Sequence, residues 1–319
     1  MKIVVLERNS VGTDISIEGI TSLGEAVVYP NTVADEVVER IHDAEIIVAN
    51  KVPLNESTLK DAPNVKLICE FATGFDNVDI AYCRSRGIKV ANIVGYSTDS
   101  VAQHTFALCL YVLEKLKRYD DYVKSGTYAA QSRFSNFDLP FFELAGKTWG
   151  IVGMGNIGRK VAQIAVAFGC RVIFYSVTGK SSCTDYERVD FDTLLAESDV
   201  LSLHCPLSDL TRHLINKEAL KKMKSSAVLV NVARGPVVCD EDLYEALVEG
   251  EIAGAGLDVT STEPMKESNP LSRIQDSSRL IITPHMAWAS VEARIRCVNE
   301  TAENIKAFLS GENRNIVNL

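Results

Sequence analysis

Short apolar runs alternate with amphipathic stretches along the first ninety or so residues, the order that a parallel α/β sheet imposes. The runs lie at 3–6, 26–29, 45–49, 65–69 and 88–91, with helix-like spacing of apolar residues at 34–42 and 78–86 between them. Strands buried on both faces need no polar alternation, so the N-terminal part reads as a small doubly wound domain.

From 97 to 124 the pattern changes to one long helix. Val101, Thr105, Leu108, Val112 and Leu116 form a stripe, while Phe106, Cys109, Leu110 and Leu113 add apolar bulk on other faces. A helix apolar over so much of its girth must be covered on several sides. It reads either as the crossing between two domains and a dimer surface, or as an internal core helix. The segment 126–144, with Arg133, Asn136, Pro140 and several Phe, has no clear period and reads as a loop.

Alternation resumes with strands at 148–152, 171–175, 200–203, 227–231, 254–259 and 280–282, and helices at 156–168, 191–197, 217–223 and 240–249. These six strands match the two mononucleotide-binding halves of a Rossmann sheet. A last helix, 288–309, carries Trp288, Val291, Ile295, Val298, Ala302, Ile305 and Leu309 at spacings of three and four. Following a completed sheet, it is expected to return and cover the first domain.

The stretch Gly153-Met154-Gly155-Asn156-Ile157-Gly158 sits between the first of these later strands and its helix. A GxGxxG pattern alone is weak, but strand before and helix after is the arrangement that dinucleotide binding requires. Bare backbone approaches a pyrophosphate there, and the free amides and dipole of the helix start favour its charge.

A chain of 319 residues with 46% hydrophobic and 24% charged residues fits a soluble protein of two domains. Its net charge of -9, with no Lys/Arg cluster, argues against a nucleic-acid partner. The start MKIVVLERNS reads as a strand rather than a secretion signal, and no apolar segment reaches membrane-spanning length. Eight cysteines without a CxxC pair point to reduced thiols and a cytoplasmic protein. Five histidines without metal-ligand spacing give no reason to expect a metal.

Ligands of open α/β sheets bind beyond the carboxyl ends of the strands. Three of those ends are followed by Val232-Ala233-Arg234-Gly235-Pro236, by Thr260-Ser261-Thr262-Glu263-Pro264, and by Thr283-Pro284-His285. Singly, Arg234 could be a surface arginine, Glu263 a helix cap and His285 a loop histidine. Together on the edge that carries the glycine turn they suit the reduction of a 2-oxo acid. A nicotinamide supplies a hydride and no proton, so His285 would protonate the carbonyl oxygen. Glu263 would orient the imidazole and favour its charged form. Arg234 offers a planar fork to the substrate carboxylate and polarises the keto oxygen.

The motifs ATGFDNVDI (72–80), GYSTDSVAQHTFALCL (95–110), KTWGIVGMGNIGRKVA (147–162), LHCPL (203–207), NVARGPVV (231–238), AGLDV (255–259), STEP (261–264) and PHMAWAS (284–290) make the resemblance specific. In this order the chain resembles the D-isomer-specific 2-hydroxy acid dehydrogenases over nearly its whole length. The resemblance implies a Rossmann domain, 99–284, inserted into a smaller flavodoxin-like α/β substrate domain, 1–98 plus 285–319, with the active site in a cleft. Arg234, Glu263 and His285 match the family's catalytic residues, and Thr73 and Gly74 the turn whose amides hold the substrate carboxylate. It further implies that Gly153, Gly155, Asn156, Ile157 and Gly158 cradle the pyrophosphate, and that His204, Cys205 and Pro206 line the adenosine. By the same resemblance Val232 and Asp258 lie near the nicotinamide. With the 97–124 helix as a candidate surface, a homodimer is expected.

One position departs from the pattern. NAD-selective Rossmann units place an acid about twenty residues after the glycine turn, on the ribose 2′-hydroxyl. Here 171–180 holds no acid, and Ser176 stands in its place, with Thr178 and Lys180 nearby. NAD is the expected cofactor, with NADP left open. Among substrates the motifs resemble most those of glycerate dehydrogenases that reduce hydroxypyruvate, or glyoxylate, with Trp288, Tyr96 and Phe75 as candidates to shape the pocket. Two other readings stay open: a reductase of larger aromatic 2-oxo acids such as phenylpyruvate, and an NAD(H)-sensing, corepressor-like binding protein.

Overall fold

All ladders between strands are parallel. The computed structural model describes residues 1–319. Its first part runs β1 (Lys2–Val5), α1 (Glu18–Thr21), β2 (Glu25–Val28), α2 (Val37–Ile41), β3 (Ile46–Ala49), α3 (Glu56–Leu59), β4 (Leu67–Glu70), α4 (Ile80–Ser85) and β5 (Lys89–Ala91). The sheet order β2-β1-β3-β4-β5 is that of flavodoxin-like folds. Ile3, Val5, Ile46, Val48, Leu67 and Cys69 face one core, and Val4, Leu6, Ile47, Ala49 and Ile68 the other. Burial on both faces is why these strands read as unbroken apolar runs.

The second part runs α5 (Thr98–Leu113), α6 (Leu116–Lys124), α7 (Thr127–Ala130), β6 (Thr148–Val152), α8 (Asn156–Ala167), β7 (Arg171–Tyr175), β8 (Glu187–Arg188), α9 (Phe191–Glu197), β9 (Val200–Leu203), α10 (Lys217–Lys222), β10 (Val228–Asn231), α11 (Asp240–Glu249), β11 (Gly254–Leu257) and β12 (Leu280–Ile282). Its order, β12-β11-β10-β9-β6-β7-β8, places the sheet reversal between β6 and β9. The third strand of the Rossmann order is β8, which the apolar pattern misses because it is two residues long and both are exposed. The run at 280–282 is a seventh strand rather than the sixth.

The last helix, α12 (Val291–Leu309), returns to pack on β4 and α1. The chain thereby divides into two compact units, Met1–Ser97 with Trp288–Leu319, and Thr98–Ala287. The second crossing comes after Ala287 rather than before His285, because the Asp258 carboxylate binds the amides of Met286 and Ala287 at 2.7 and 2.8 Å.

Two helices differ from their sequence reading. The long one breaks at Lys115, which takes a left-handed backbone (φ 56) and donates its Nζ to Ser278 O at 2.9 Å. Leu116 therefore leaves the stripe and is exposed. The α5 portion is buried by its own unit, against α8, β10 and β11, with Phe106 stacked between Trp149 and Phe168. Its all-round apolar surface thus needs no partner outside that unit.

In α12 the buried face is Ala293, Cys297, Val298, Thr301, Ala302, Asn304 and Ile305, while Val291, Ile295 and Leu309 are exposed. Close packing selected small residues there and a hydrogen-bonding Asn304, which donates to Asn92 O at 2.9 Å. A reading weighted by side-chain size overlooks both. Trp288 precedes the helix, whose cap is Ser290 accepting from Ala293 N. No helix is long and apolar enough to cross a membrane.

Candidate active site

Gly153 ends β6 at φ +94, and a Cβ there would lie 2.9 Å from backbone atoms of His204 and Cys205. At Gly158 a Cβ would lie 2.2 Å from Gly153 O, so α8 packs directly on the turn. At Gly155 a Cβ would meet nothing within 4 Å. Two glycines therefore serve packing, and the middle one leaves bare backbone facing open space at the start of a helix of 12 residues, beside Asn156 and Ile157. Those are the three requirements of a pyrophosphate cradle, and the residues present fit one.

The β9 end faces the same turn across the sheet reversal. His204 donates its backbone N–H to Val152 O at 2.8 Å, and its Nε2 lies 3.0 Å from Ser202 Oγ, which accepts Trp149 Nε1–H at 2.9 Å. Burial pushes the imidazole down to about 3, so His204 is neutral at any working pH, and its enclosed Nδ1 has no protein partner. Cys205 is buried and Pro206 exposed beside it; Val232, after β10, is 9% exposed. Beyond β7, Ser176 O accepts from Gly179 N at 3.0 Å and Ser176 Oγ from Ser181 N at 3.3 Å. Arg188 Nη1 ties Gly179 O from outside at 3.0 Å. The turn holds hydroxyls and Lys180, and no carboxylate.

Arg234 follows β10. Asn231, buried at the strand end, accepts from Ala233 N and donates to Arg234 O, both at 3.0 Å, so one side chain clamps the loop. Arg234 Nη1 donates to Ala233 O at 2.9 Å. At the next residue, Gly235, a Cβ would stand 1.8 Å from Thr260 O. The Arg234 loop and the loop leading to Glu263 thus touch backbone to backbone, and only glycine permits it.

His285 Nδ1 lies 2.7 Å from Glu263 Oε2, and Glu263 Oε1 accepts from Thr260 N at 3.3 Å. The two side chains are 28% and 36% exposed, enough for a substrate to reach them. His285 sits at φ 56, an unfavourable region for a residue with a Cβ. Its backbone is over-determined there: His285 N donates to Asp258 O at 2.8 Å and Thr283 O at 3.0 Å. The Asp258 side chain takes Met286 N, Ala287 N and, at 2.6 Å, Thr283 Oγ1–H. His104 Nε2, from α5, meets Thr283 Oγ1 at 2.9 Å and Asp258 Oδ1 at 3.5 Å. Burial by itself would raise the Asp258 carboxyl, but the hydrogen bonds from His104, Thr283 and the two amides hold it below the usual carboxylate range. Strained backbone persists where its surroundings impose it.

In the smaller unit Thr73 Oγ1 donates to Ile93 O at 2.6 Å and Asn92 Nδ2 to Thr73 O at 2.7 Å, which fixes the loop containing Thr73 and Gly74. Of the three aromatic candidates, Tyr96 is buried, with Trp288 edge-on to it at 6.2 Å; Phe75 packs on the opposite core. Sequence reasoning missed Asn231 and His104; the carboxylate of Asp258, which the resemblance puts near the nicotinamide, is hydrogen-bonded to the 283–287 segment. The available signal was a polar residue closing an apolar strand, as in LVN and GLD.

Residues 106–287 match the model of the D-isomer specific 2-hydroxyacid dehydrogenase, NAD binding domain. Over its full length the chain is 39% identical to a hydroxypyruvate reductase of Blautia hydrogenotrophica, covering 100% of both proteins. A glycerate dehydrogenase of Methylorubrum extorquens is also 39% identical, over 99% of this chain and 98% of that one. Among solved structures, D-lactate dehydrogenase of Aquifex aeolicus, complexed with NAD and lactic acid, superposes with a TM-score of 0.85 at 32% identity, covering 98% of this chain and 96% of that one. The NADPH-dependent glyoxylate/hydroxypyruvate reductase of Sinorhizobium meliloti, in complex with NADP and malonate, gives 0.83 at 28% identity over 99% and 96%. With a glycine cradle, an arginine and a carboxylate–histidine pair at the strand ends of one sheet, the chain belongs to the D-isomer-specific 2-hydroxyacid dehydrogenase family, NAD(P)-dependent oxidoreductases acting on a CH–OH group.

Proposed function

We propose that the protein reduces small 2-oxo acids to D-2-hydroxy acids, with hydroxypyruvate to D-glycerate, and glyoxylate, as its substrates. The observation that carries this reading is the His285–Glu263 pair at 2.7 Å on a backbone that Asp258 holds in place. Glu263 binds Nδ1, so Nε2 holds the proton given to the substrate carbonyl oxygen during reduction, and takes it back during oxidation. Arg234 presents two N–H groups to the substrate carboxylate and stabilises the oxygen on which charge develops. When bound, the nicotinamide cofactor supplies or accepts the hydride. Gly155, Asn156 and Ile157 would hold its pyrophosphate, and His204, Cys205 and Pro206 its adenosine side, with Val232 towards the nicotinamide. Two relatives 39% identical over nearly the whole chain, named for hydroxypyruvate and glycerate, support the substrate choice.

The test is a panel of hydroxypyruvate, glyoxylate, pyruvate and phenylpyruvate with NADH and NADPH. The first two are expected to give the highest kcat/KM. A preference for phenylpyruvate would replace the substrate assignment, and turnover of none would favour a nucleotide sensor.

Cofactor choice rests on Ser176. Both cofactors are accepted in this reading, since no carboxylate repels a 2′-phosphate. Ser176→Asp is expected to lower kcat/KM for NADPH about tenfold or more through like-charge repulsion, while NADH is affected less than threefold. Equal losses with the two cofactors would count against a role at the 2′ position.

We further propose a homodimer in a reducing, cytoplasmic compartment. Phe134, Phe137 and Phe141, 88%, 72% and 56% exposed, crowd one short segment, which suits burial by a second copy. All eight cysteines are free. A monomer in sedimentation at micromolar concentration would contradict the first part.

A further inference from the structure

Past the end of β7, the 176–181 turn leaves its side-chain donors unused. Gly179, left-handed at φ 69, donates its N–H to Ser176 O at 3.0 Å, and Val177 turns inward onto the core. Ser176 Oγ accepts from Ser181 N at 3.3 Å and Thr178 Oγ1 from Lys180 N at 3.4 Å. Each hydroxyl has thus spent a lone pair, while its proton is claimed by nothing in the protein. That makes Ser176 a weak stand-in for a carboxylate that accepts from a ribose hydroxyl, and a ready donor to an oxyanion. The Lys180 ammonium, on the exposed part of the turn, is also without a protein partner.

Folding brings an arginine to this turn that no spacing after β7 announces. β8 runs parallel to β7 with Arg188 beside Phe174, and Val189 N closes onto Phe174 O at 3.0 Å while its side chain packs on the core. Arg188 therefore leaves a fixed backbone, and its Nη1 donates to Gly179 O at 3.0 Å. The rest of its fork is unengaged, and the side chain is exposed. The acids of the same segment are occupied elsewhere. Asp185 lies 3.5 Å from Arg159, Glu187 is 2.7 Å from Arg171, and Asp190 caps α9 through Thr193 N at 2.9 Å. Arg188 and Lys180 are thus two cations without an acid of their own, meeting at a turn whose hydroxyls have protons to give.

We propose that Arg188, with Lys180 and the Ser176 hydroxyl, recognises a 2′-phosphate on the adenosine ribose of the cofactor, so that the protein favours NADPH over NADH. This rests on the reading that the ribose lies beyond β7, at Ser176. A phosphate only accepts hydrogen bonds, and the unused groups here only have protons to give. The guanidinium fork suits two phosphate oxygens, and Lys180 adds a point charge. Its tie to Gly179 O holds the arginine in place beforehand, which lowers the cost of ordering it on binding. NADH brings a neutral hydroxyl to the same spot and gains nothing from either cation. Because Arg188 and Lys180 are exposed, the advantage of the phosphate shrinks as salt rises.

The experiment measures dissociation constants of NADPH and NADH by cofactor fluorescence on the full chain, with no substrate present. At low ionic strength the wild type is expected to bind NADPH about tenfold more tightly than NADH, with the gap closing as salt is added. Arg188→Gln should weaken NADPH about tenfold and NADH less than about twofold, whereas Arg188→Lys, which keeps a charge without the fork, should weaken NADPH about threefold. As a probe of the adenosine end alone, 2′,5′-ADP should displace NADH at concentrations about tenfold lower than 5′-AMP in wild type, and no better than 5′-AMP in the double variant Arg188→Gln, Lys180→Gln. Equal losses of NADPH and NADH in Arg188→Gln would make the arginine a tie of the turn and nothing more, and would overturn the proposal. Equal constants for the two cofactors in wild type would overturn it as well. A wild type that binds neither dinucleotide would instead take away the cofactor reading on which the proposal rests.

Discussion

Replacing His285 with alanine is expected to lower kcat for 2-oxo acid reduction by about a thousandfold, within the range that removal of a positioned proton donor produces. Cofactor dissociation constants should change less than twofold, since the glycine cradle at Gly153 to Gly158 is built from different strands, β6 and β9. The partner variant Glu263→Gln keeps the shape but replaces the charged acceptor of the Nδ1–H bond, and should lose about tenfold to a hundredfold. Single-turnover kinetics with NADH, alongside a fluorescence titration of the cofactor, separates the two quantities. A His285→Ala enzyme that loses cofactor binding instead, or keeps a tenth of its kcat, would remove His285 from the proton-donor role.

Asp258→Asn is expected to be nearly as damaging, although Asp258 reaches no reacting atom in this reading. Its carboxylate accepts from Met286 N, Ala287 N and Thr283 Oγ1, with His104 3.5 Å away. An asparagine offers one acceptor oxygen and turns an NH2 towards donors that need an acceptor. Leaving a buried donor unpaired costs about 1–3 kcal/mol. The strained backbone at His285 loses its restraint at the same time. A loss of roughly 2–4 kcal/mol of stability, read from the urea midpoint, should accompany a fall in kcat of about a hundredfold. KM for the 2-oxo acid should move far less, as Arg234 is clamped separately by Asn231. Because hydrogen bonds hold the Asp258 carboxyl below the usual range, its stabilising contribution is present above the ordinary carboxylate value and is lost as pH falls below about 4. A variant with normal stability and kcat would show that the 283–287 segment is set by other contacts.

Much of the site was legible before any coordinates. A strand leading into GMGNIG and then an amphipathic helix can only be built one way, and its three glycines occupy distinct spatial roles. Arg234, Glu263 and His285 could be placed on one sheet edge because parallel topology puts all strand ends together. Sequence also determined the strands of both sheets wherever burial on two faces made them apolar. It failed at β8, too short and exposed to leave a periodic trace, and in α12, where close packing chose alanine, cysteine and Asn304 over larger residues.

Only the tertiary structure decided what the buried polar groups do. The resemblance puts Asp258 near the cofactor; what its carboxylate holds is decided by residues 25 and more positions later in the chain. Glu70 reads in sequence as the polar end of a strand, and its isolation depends on Asn77, Glu7 and the 50–52 backbone meeting there. The hydrophobic pattern is a local property, written in each element's own side chains, so the chain by itself carries the fold and the edge where chemistry gathers. The charge state and hydrogen bonding of a buried polar group depend on partners brought together by folding, which no spacing along the chain records.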